Sequence, residues 1–183
     1  TQSLLGNLGM HEFGNWVYFP WNRQLVHILE ESLFVEVRTS RNRLKITAEE
    51  QISLSGKKAG IVGLSVGSAI AITMAMERSV GELVLADFDA IDLSNLNRVR
   101  GKISNIGINK AVLMAREIAE LDPYLKITVF EEGITDANID SFFEHGQPLD
   151  LLIDECDSLP MKIKLRKQAK SRRIPVLMET SDR

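Results

Sequence analysis

Short apolar runs alternate with helical stretches from Lys58 to Met178, and few architectures accommodate that rhythm. The apolar runs fall at residues 58–62, 82–86, 126–130, 149–153 and 175–178. Between them, residues 65–78, 109–121, 136–144 and 160–171 have helical composition. The run 149–153 is apolar without a break, as strands buried on both faces are. Alternating strands and helices predict an α/β fold of Rossmann-like type, a mostly parallel sheet flanked by helices and joined by right-handed crossovers. Gly81 is expected to stop the helix over 65–78, since glycine is favoured just past a helix end.

The first 47 residues lack this rhythm and read as an N-terminal arm, with the Rossmann-like domain spanning 48–183. Within the arm, residues 16–19 predict a strand, 24–32 a short helix and 33–38 a second strand. Thr47 followed by Glu50 has the spacing of a capping box, opening a helix that runs to Leu54. The chain begins without methionine and stops just after a strand, so both ends look cut and it reads as a fragment, its Rossmann-like domain truncated at the C-terminus.

Composition narrows the function classes. A net charge of -3 and a pI near 5.7 argue against a nucleic-acid surface, which needs a basic excess. A single cysteine, Cys156, forbids an internal disulfide and fits a reducing, cytoplasmic setting. No apolar run is long enough to suggest a membrane span, and no secretory leader is visible.

In a sheet of this kind ligands bind beyond the carboxyl ends of the strands. The residues just after each strand are therefore the candidates. After the first comes Gly63-Leu64-Ser65-Val66-Gly67-Ser68. Small residues there let backbone N–H groups approach a phosphate at a helix N-terminus. With serine at position 65 the full dinucleotide fingerprint is not met, and a tight strand-to-helix turn without a ligand explains the loop equally simply. After the second strand comes Asp87-Phe88-Asp89. Asp87 stands where an acid accepts from a ribose, a spacing that suits NAD and ATP alike. As a turn or cap acid it would need no ligand. The polar connection from Asp87 to Lys110 carries Asn95, Arg98 and Lys110. Hydride transfer needs no such cationic set, whereas phosphoryl or adenylyl transfer builds charge that cations stabilise. Singly, either cation reads as an ordinary surface charge. After the fourth strand come Asp154-Glu155-Cys156-Asp157-Ser158, three acids of which one could hold Mg²⁺ against phosphates. Asp157 or Ser158 could equally cap the next helix.

These stretches resemble the adenylating superfamily of ubiquitin-activating enzymes and of the ThiF-type thiamine-pathway and molybdopterin-pathway adenylyltransferases. The matching segments are Ile61-Val62-Gly63-Leu64, Leu85-Ala86-Asp87-Phe88-Asp89, Leu93-Ser94-Asn95-Leu96-Asn97-Arg98, Gly107 to Lys110, Asp122-Pro123 and Asp154 to Ser158. They stand in the family's order over residues 48–180.

The resemblance implies ATP and Mg²⁺ as cofactors. It places the nucleotide among Gly63, Ser65, Gly67, Asp87 and Asp89, with Asp87 on the ribose and Asn95 and Arg98 at the triphosphate. Lys110 would neutralise charge and Asp157 would hold Mg²⁺. An N-terminal-arm arginine reaching a partner subunit's phosphates would be Arg43, or alternatively Arg23, in a homodimer. The implied activity is ATP-dependent adenylation of a carboxylate, such as the C-terminus of a ubiquitin-like or sulfur-carrier protein. An NAD(P)-dependent oxidoreductase and a non-catalytic nucleotide-binding module are the alternatives. The chain departs from the family pattern at Ser65 (glycine), Val99 (glutamine) and Ser158 (asparagine). The arm and the ending also resemble bacterial members fused to a nitroreductase-like domain. Cys156 falls at a non-nucleophilic place in the motif and reads as a buried structural thiol.

Overall fold

A computed structural model describes residues 13–179. The chain divides after Ala48 into two compact units.

The first unit holds an antiparallel hairpin of β1 (Asn15–Phe19) and β2 (Gln24–Ile28), then α1 (Glu31–Thr39) and a 3-10 turn over Ser40–Leu44. Two expectations are reversed here. Residues 24–28 are a strand where a helix was expected, and residues 31–39 a helix where 33–38 suggested a strand. The turn decides the first. Arg23 adopts a positive φ of 56°, and the Asn22 side chain accepts from the N–H of Gln24 at 3.0 Å. The chain therefore folds back and sets His27 opposite Trp16, their rings stacked at 4.6 Å. In the second, an apolar run this short does not separate helix from strand by periodicity. The helical ladder begins as Phe34 N–H donates to the Glu30 carbonyl at 2.9 Å.

The division falls at the first residue of α2 (Ala48–Ser55), and the second unit carries five parallel strands: β3 (Lys58–Val62), β4 (Glu82–Ala86), β5 (Lys126–Phe130), β6 (Leu151–Asp154) and β7 (Val176–Leu177). Their order is β5-β4-β3-β6-β7, so strand order reverses between β3 and β6. Four helices connect them: α3 (Gly67–Glu77), α4 (Lys110–Leu121), α5 (Ile139–Glu144) and α6 (Leu159–Ser171). This is the expected Rossmann-like arrangement.

Alternation along the strands builds the two layers. Ile61, Leu83 and Leu85 face a core with Ala71 and Ala75 of α3 and Met114 and Ile118 of α4. Val62, Val84 and Ala86 face the opposite core with Phe142 and Phe143 of α5 and Leu165 of α6. Phe142 is fully buried, a contribution of about 2–3 kcal/mol.

The helix over 65–78 stops differently from expectation. Its C-cap is Arg78, in the left-handed region at φ 51°, and the Arg78 guanidinium pairs with fully buried Asp122 at the end of α4 at 3.1 Å. Gly81 has another task. A Cβ there would lie 1.9 Å from the Ser55 carbonyl oxygen, so glycine lets α2 approach the start of β4. Among the described residues no helix is long and apolar enough to cross a membrane.

Candidate functional site

The reversal of strand order opens a crevice at the carboxyl ends of β3, β4 and β6, where this architecture binds ligands. A cavity of about 540 Å³ occupies it, within the roughly 300–1,000 Å³ of small-molecule sites. Val62, Ala86, Phe88, Ile134 and Met161 supply apolar wall, and Asp87, Asp89, Glu155 and Asp157 bring four carboxylates to it.

The turn after β3 is built for close approach. Gly63 sits at φ +87°, and a Cβ on it would lie 2.6 Å from the Glu155 carbonyl oxygen. Glycine thus lets the β3 and β6 ends close on each other. At Gly67, the first residue of α3, a Cβ would meet the Ile61 side chain at 2.7 Å. Gly63 and Ser65 line the cavity; Gly67 lies behind the lining.

Asp87 is buried at the end of β4. One carboxylate oxygen accepts the Leu64 N–H at 2.6 Å, the other the Asp89 N–H at 2.8 Å. This acid shapes the glycine turn from inside. Each oxygen retains a second lone pair for a ligand hydroxyl.

Lys110, at the first turn of α4, is only 5% exposed. Its ammonium donates to Asp89 Oδ2 at 2.8 Å and to Ser65 Oγ at 3.1 Å. Three chain segments therefore meet at one cation, although Lys110 itself does not line the cavity.

Asn95 and Arg98 are likewise outside the lining. Asn95 occupies a 3-10 turn (Leu93–Asn95), where its Oδ1 accepts the Asp92 N–H at 3.0 Å. Arg98 is exposed and donates to the Ser94 carbonyl at 3.1 Å and to Asn97 Oδ1 at 2.9 Å. Both acceptors are neutral. Arg43 lies in the first unit, exposed, 3.7 Å from Glu36. Arg23 shapes the hairpin turn.

Asp157 lines the cavity and is exposed. Among the described residues no three His, Cys, Asp or Glu side chains group as a metal site. Asp157 is one carboxylate here that could hold Mg²⁺ together with ligand oxygens, an arrangement this cation tolerates. Ser158 caps α6, its Oγ accepting the Met161 N–H at 3.5 Å.

Cys156 is half-buried rather than fully buried and forms part of the cavity wall. Its thiol donates to Asp154 Oδ1 at 3.0 Å. Burial, then the hydrogen bond and charge of Asp154, push it up to about 12, so it is no nucleophile near neutrality. Glu155 accepts the Glu179 N–H at 3.0 Å. Burial raises its carboxyl above the usual range, with the charges of Glu179 and Asp154 adding to the shift, against that hydrogen bond and the charge of Lys162.

Asn109 escaped the sequence reading as a site residue. Its Oδ1 caps α4, accepting from Ala111 at 2.8 Å and Val112 at 3.2 Å. Its amide donates to the Asp87 carbonyl at 2.9 Å and the Glu131 carbonyl at 3.0 Å. The available signal was an asparagine just ahead of an amphipathic helix.

The sequence and the fold both have relatives among known proteins. Residues 39–181 match the ThiF family. An uncharacterized protein of Mycobacterium tuberculosis is 51% identical over 174 residues, covering 95% of this chain and 24% of that protein. The Bacillus subtilis tRNA threonylcarbamoyladenosine dehydratase is 33% identical over 140 residues, covering 75% of this chain and 54% of that one. The chain thus spans about a quarter and about half of these relatives. The Escherichia coli tRNA N6-threonylcarbamoyladenosine dehydratase, solved with ATP, superimposes at a TM-score of 0.73 with 24% identity over 82% of this chain and 61% of that chain. At that identity the likeness is one of fold.

Proposed function

The chain belongs to the ThiF family, and from that premise we propose that it activates a carboxylate with ATP. A carboxylate oxygen bonds to the α-phosphorus, the bond from that phosphorus to the bridging oxygen breaks, and pyrophosphate leaves with the electron pair. The product is an acyl adenylate, and no protein nucleophile is needed for this step. The observation that carries the reading is the meeting of Gly63, Asp87 and the Ser65–Lys110–Asp89 cluster around one crevice at the strand-order reversal.

In this reading the apolar wall takes the adenine and Asp87 accepts from the ribose. The Gly63–Gly67 turn and the positive end of α3 face the phosphates. Lys110 offsets their charge. Asn95 and Arg98 meet the triphosphate from the crossover connection, and Arg98 is suited to it because both its acceptors are neutral. Mg²⁺ at Asp157 would screen the phosphates from the cavity's four carboxylates. Arg43 would be lent by one copy of the chain to another in a dimer.

Two named relatives support the substrate class. One acts on threonylcarbamoyladenosine in tRNA by its name; another, the ubiquitin-like modifier-activating enzyme 5 of Drosophila virilis, is 26% identical over 118 residues. A threonylcarbamoyl group and a protein C-terminus both present a carboxylate, and a carboxylate is the group this proposal assigns to the substrate.

The test is exchange of labelled pyrophosphate into ATP, with a panel of carboxylates, alongside titration calorimetry with ATP and with NADH. Carboxylate-dependent exchange is expected. Binding of NADH without ATP would overturn the reading in favour of a dehydrogenase, and ATP binding with no exchange for any carboxylate in favour of a non-catalytic module.

A further inference from the structure

We propose that Ser65 is a phosphate-binding residue through which the buried Lys110 acts on the nucleotide. This rests on the ATP reading above. The starting point is that Lys110 carries the charge but does not reach the cavity wall, whereas Ser65 and Asp89 do. The lysine is almost fully covered, and its ammonium donates to both of those side chains.

A serine hydroxyl has one proton and two lone pairs. At Ser65 a lone pair is taken by the Lys110 ammonium at 3.1 Å, and the hydroxyl proton has no acceptor among the described residues. A hydroxyl that accepts from a cation becomes a stronger donor, because hydrogen bonds in a chain polarise one another. The Ser65 carbonyl in turn accepts from Ser68 Oγ at 3.4 Å, tying the residue to the first turn of α3. The hydroxyl is thus anchored on a rigid turn, charged from behind and offers its proton at the head of α3, where an anion is favoured.

The arrangement also accounts for a serine in a loop that elsewhere favours glycine. Glycine at this position would bring the phosphate nearer the backbone but leave Lys110 with Asp89 alone. Asp89 is half exposed, at 52%, and would by itself hold the ammonium loosely.

The experiment is titration calorimetry of ATP into wild type, Ser65→Ala, Ser65→Thr, Lys110→Met and the double variant Ser65→Ala/Lys110→Met, with thermal melts of each. Ser65→Ala should weaken ATP binding about tenfold, the scale of one hydrogen bond to a charged group. Its melting temperature should fall only slightly, because Lys110 keeps its bond to Asp89, so the loss of affinity exceeds the loss of stability, which a merely structural role would not give. Ser65→Thr, which keeps the hydroxyl, should recover most of that affinity. In the Lys110→Met background the alanine substitution should cost less than about twofold, because the hydroxyl no longer carries the cation's influence. Unaltered ATP affinity in Ser65→Ala, or additive losses in the double variant, would overturn the inference alone. Wild type that fails to bind ATP would overturn both this inference and the activity on which it rests. Binding without pyrophosphate exchange would overturn only the activity.

Discussion

The side-chain amide of Asn109 donates to the carbonyl of Asp87 at 2.9 Å, joining the head of α4 to the end of β4. The second amide hydrogen reaches the Glu131 carbonyl just after β5, while the amide oxygen caps the helix. One residue therefore fixes where α4 begins relative to two strands, and with it the position of Lys110 one residue later. Asn109→Ala removes all four bonds and should cost about 2 kcal/mol, the upper range for a lost helix cap. Asn109→Asp restores the capping oxygen but sets a carboxylate against two carbonyls, so it should recover only part of the loss. Urea denaturation of the three proteins measures both effects.

Asp87 has two separable duties, organising the turn and meeting a ligand. Its oxygens accept the Leu64 and Asp89 N–H groups at a position only 7% exposed. Asp87→Ala leaves both donors without their acceptor and should destabilise the fold by ~2–4 kcal/mol. Asp87→Asn keeps one acceptor oxygen and should cost less than half as much. In both, ATP affinity should fall further than stability does, measured by calorimetry below the unfolding range. An alanine variant as stable as wild type would show that the carboxylate does not hold the turn.

The sheet was legible because its signal is collective. Five apolar runs at regular intervals, each followed by a helical stretch, leave little freedom in class. The first unit was misread at 24–38 because nothing collective governs it. A hairpin there depends on the backbone of one residue, Arg23, at positive φ, and arginine does not advertise that conformation. The helix over 65–78 ends where expected but not on glycine: Arg78 itself takes the left-handed cap, held by buried Asp122, and arginine gives no sign of that conformation. At the site, Gly63, Ser65, Asp87, Asp89 and Asp157 could be picked out because strand ends predict cavity walls. Asn95 and Arg98 lie on a connection whose path is set by local caps such as Asp92, and spacing alone does not give that path. The Lys110–Ser65 bond spans 45 positions, and no local pattern encodes it.

Acid should loosen the opposite end of the sheet. Asp150 is raised by burial, but hydrogen bonds from Lys57 Nζ and the Lys58 N–H, with the Lys57 charge, outweigh this and leave its carboxyl below the usual range. A carboxylate depressed on folding contributes stability above its unfolded value of about 3.9 and loses it as the pH falls through the folded value. Asp150→Asn should therefore be less stable than wild type near pH 7, and the difference should shrink as the pH falls below the unfolded value of about 3.9. Melting curves across that range decide it; a constant difference would contradict the shift.

The Cys156 thiol offers a probe of the cavity wall. Raised to about 12, it holds almost no thiolate near pH 8, where a free cysteine is substantially ionised. Alkylation by iodoacetamide should be at least ~100-fold slower than for free cysteine and should recover in urea. Asp154→Asn removes the carboxylate that accepts from the thiol and should speed the reaction in the folded protein. Rapid labelling of folded wild type would refute the assignment of Cys156 as an inert wall residue.

Gly63 is the most demanding backbone position in the site. A φ of +87° is disfavoured for any residue with a Cβ, and that Cβ would lie 2.6 Å from the Glu155 carbonyl oxygen and 2.7 Å from its carbon. The obstruction is backbone on β6's exit, so no rotamer relieves it, and the β3 and β6 ends must separate. Gly63→Ala should cost about 3 kcal/mol, strain at positive φ together with the displaced contact. Because the N–H of Gly63 donates to the Ala86 carbonyl at 3.0 Å, the shift should also reach the end of β4 and disturb the Leu64–Asp87 bond. Hydrogen exchange should show this directly: the amides of Leu64 and Asp89 should lose protection in the variant, while those in the middle of β3 keep it. Uniform loss across the sheet would mean that the substitution unfolds the domain as a whole, and unchanged protection would mean that the turn tolerates a side chain.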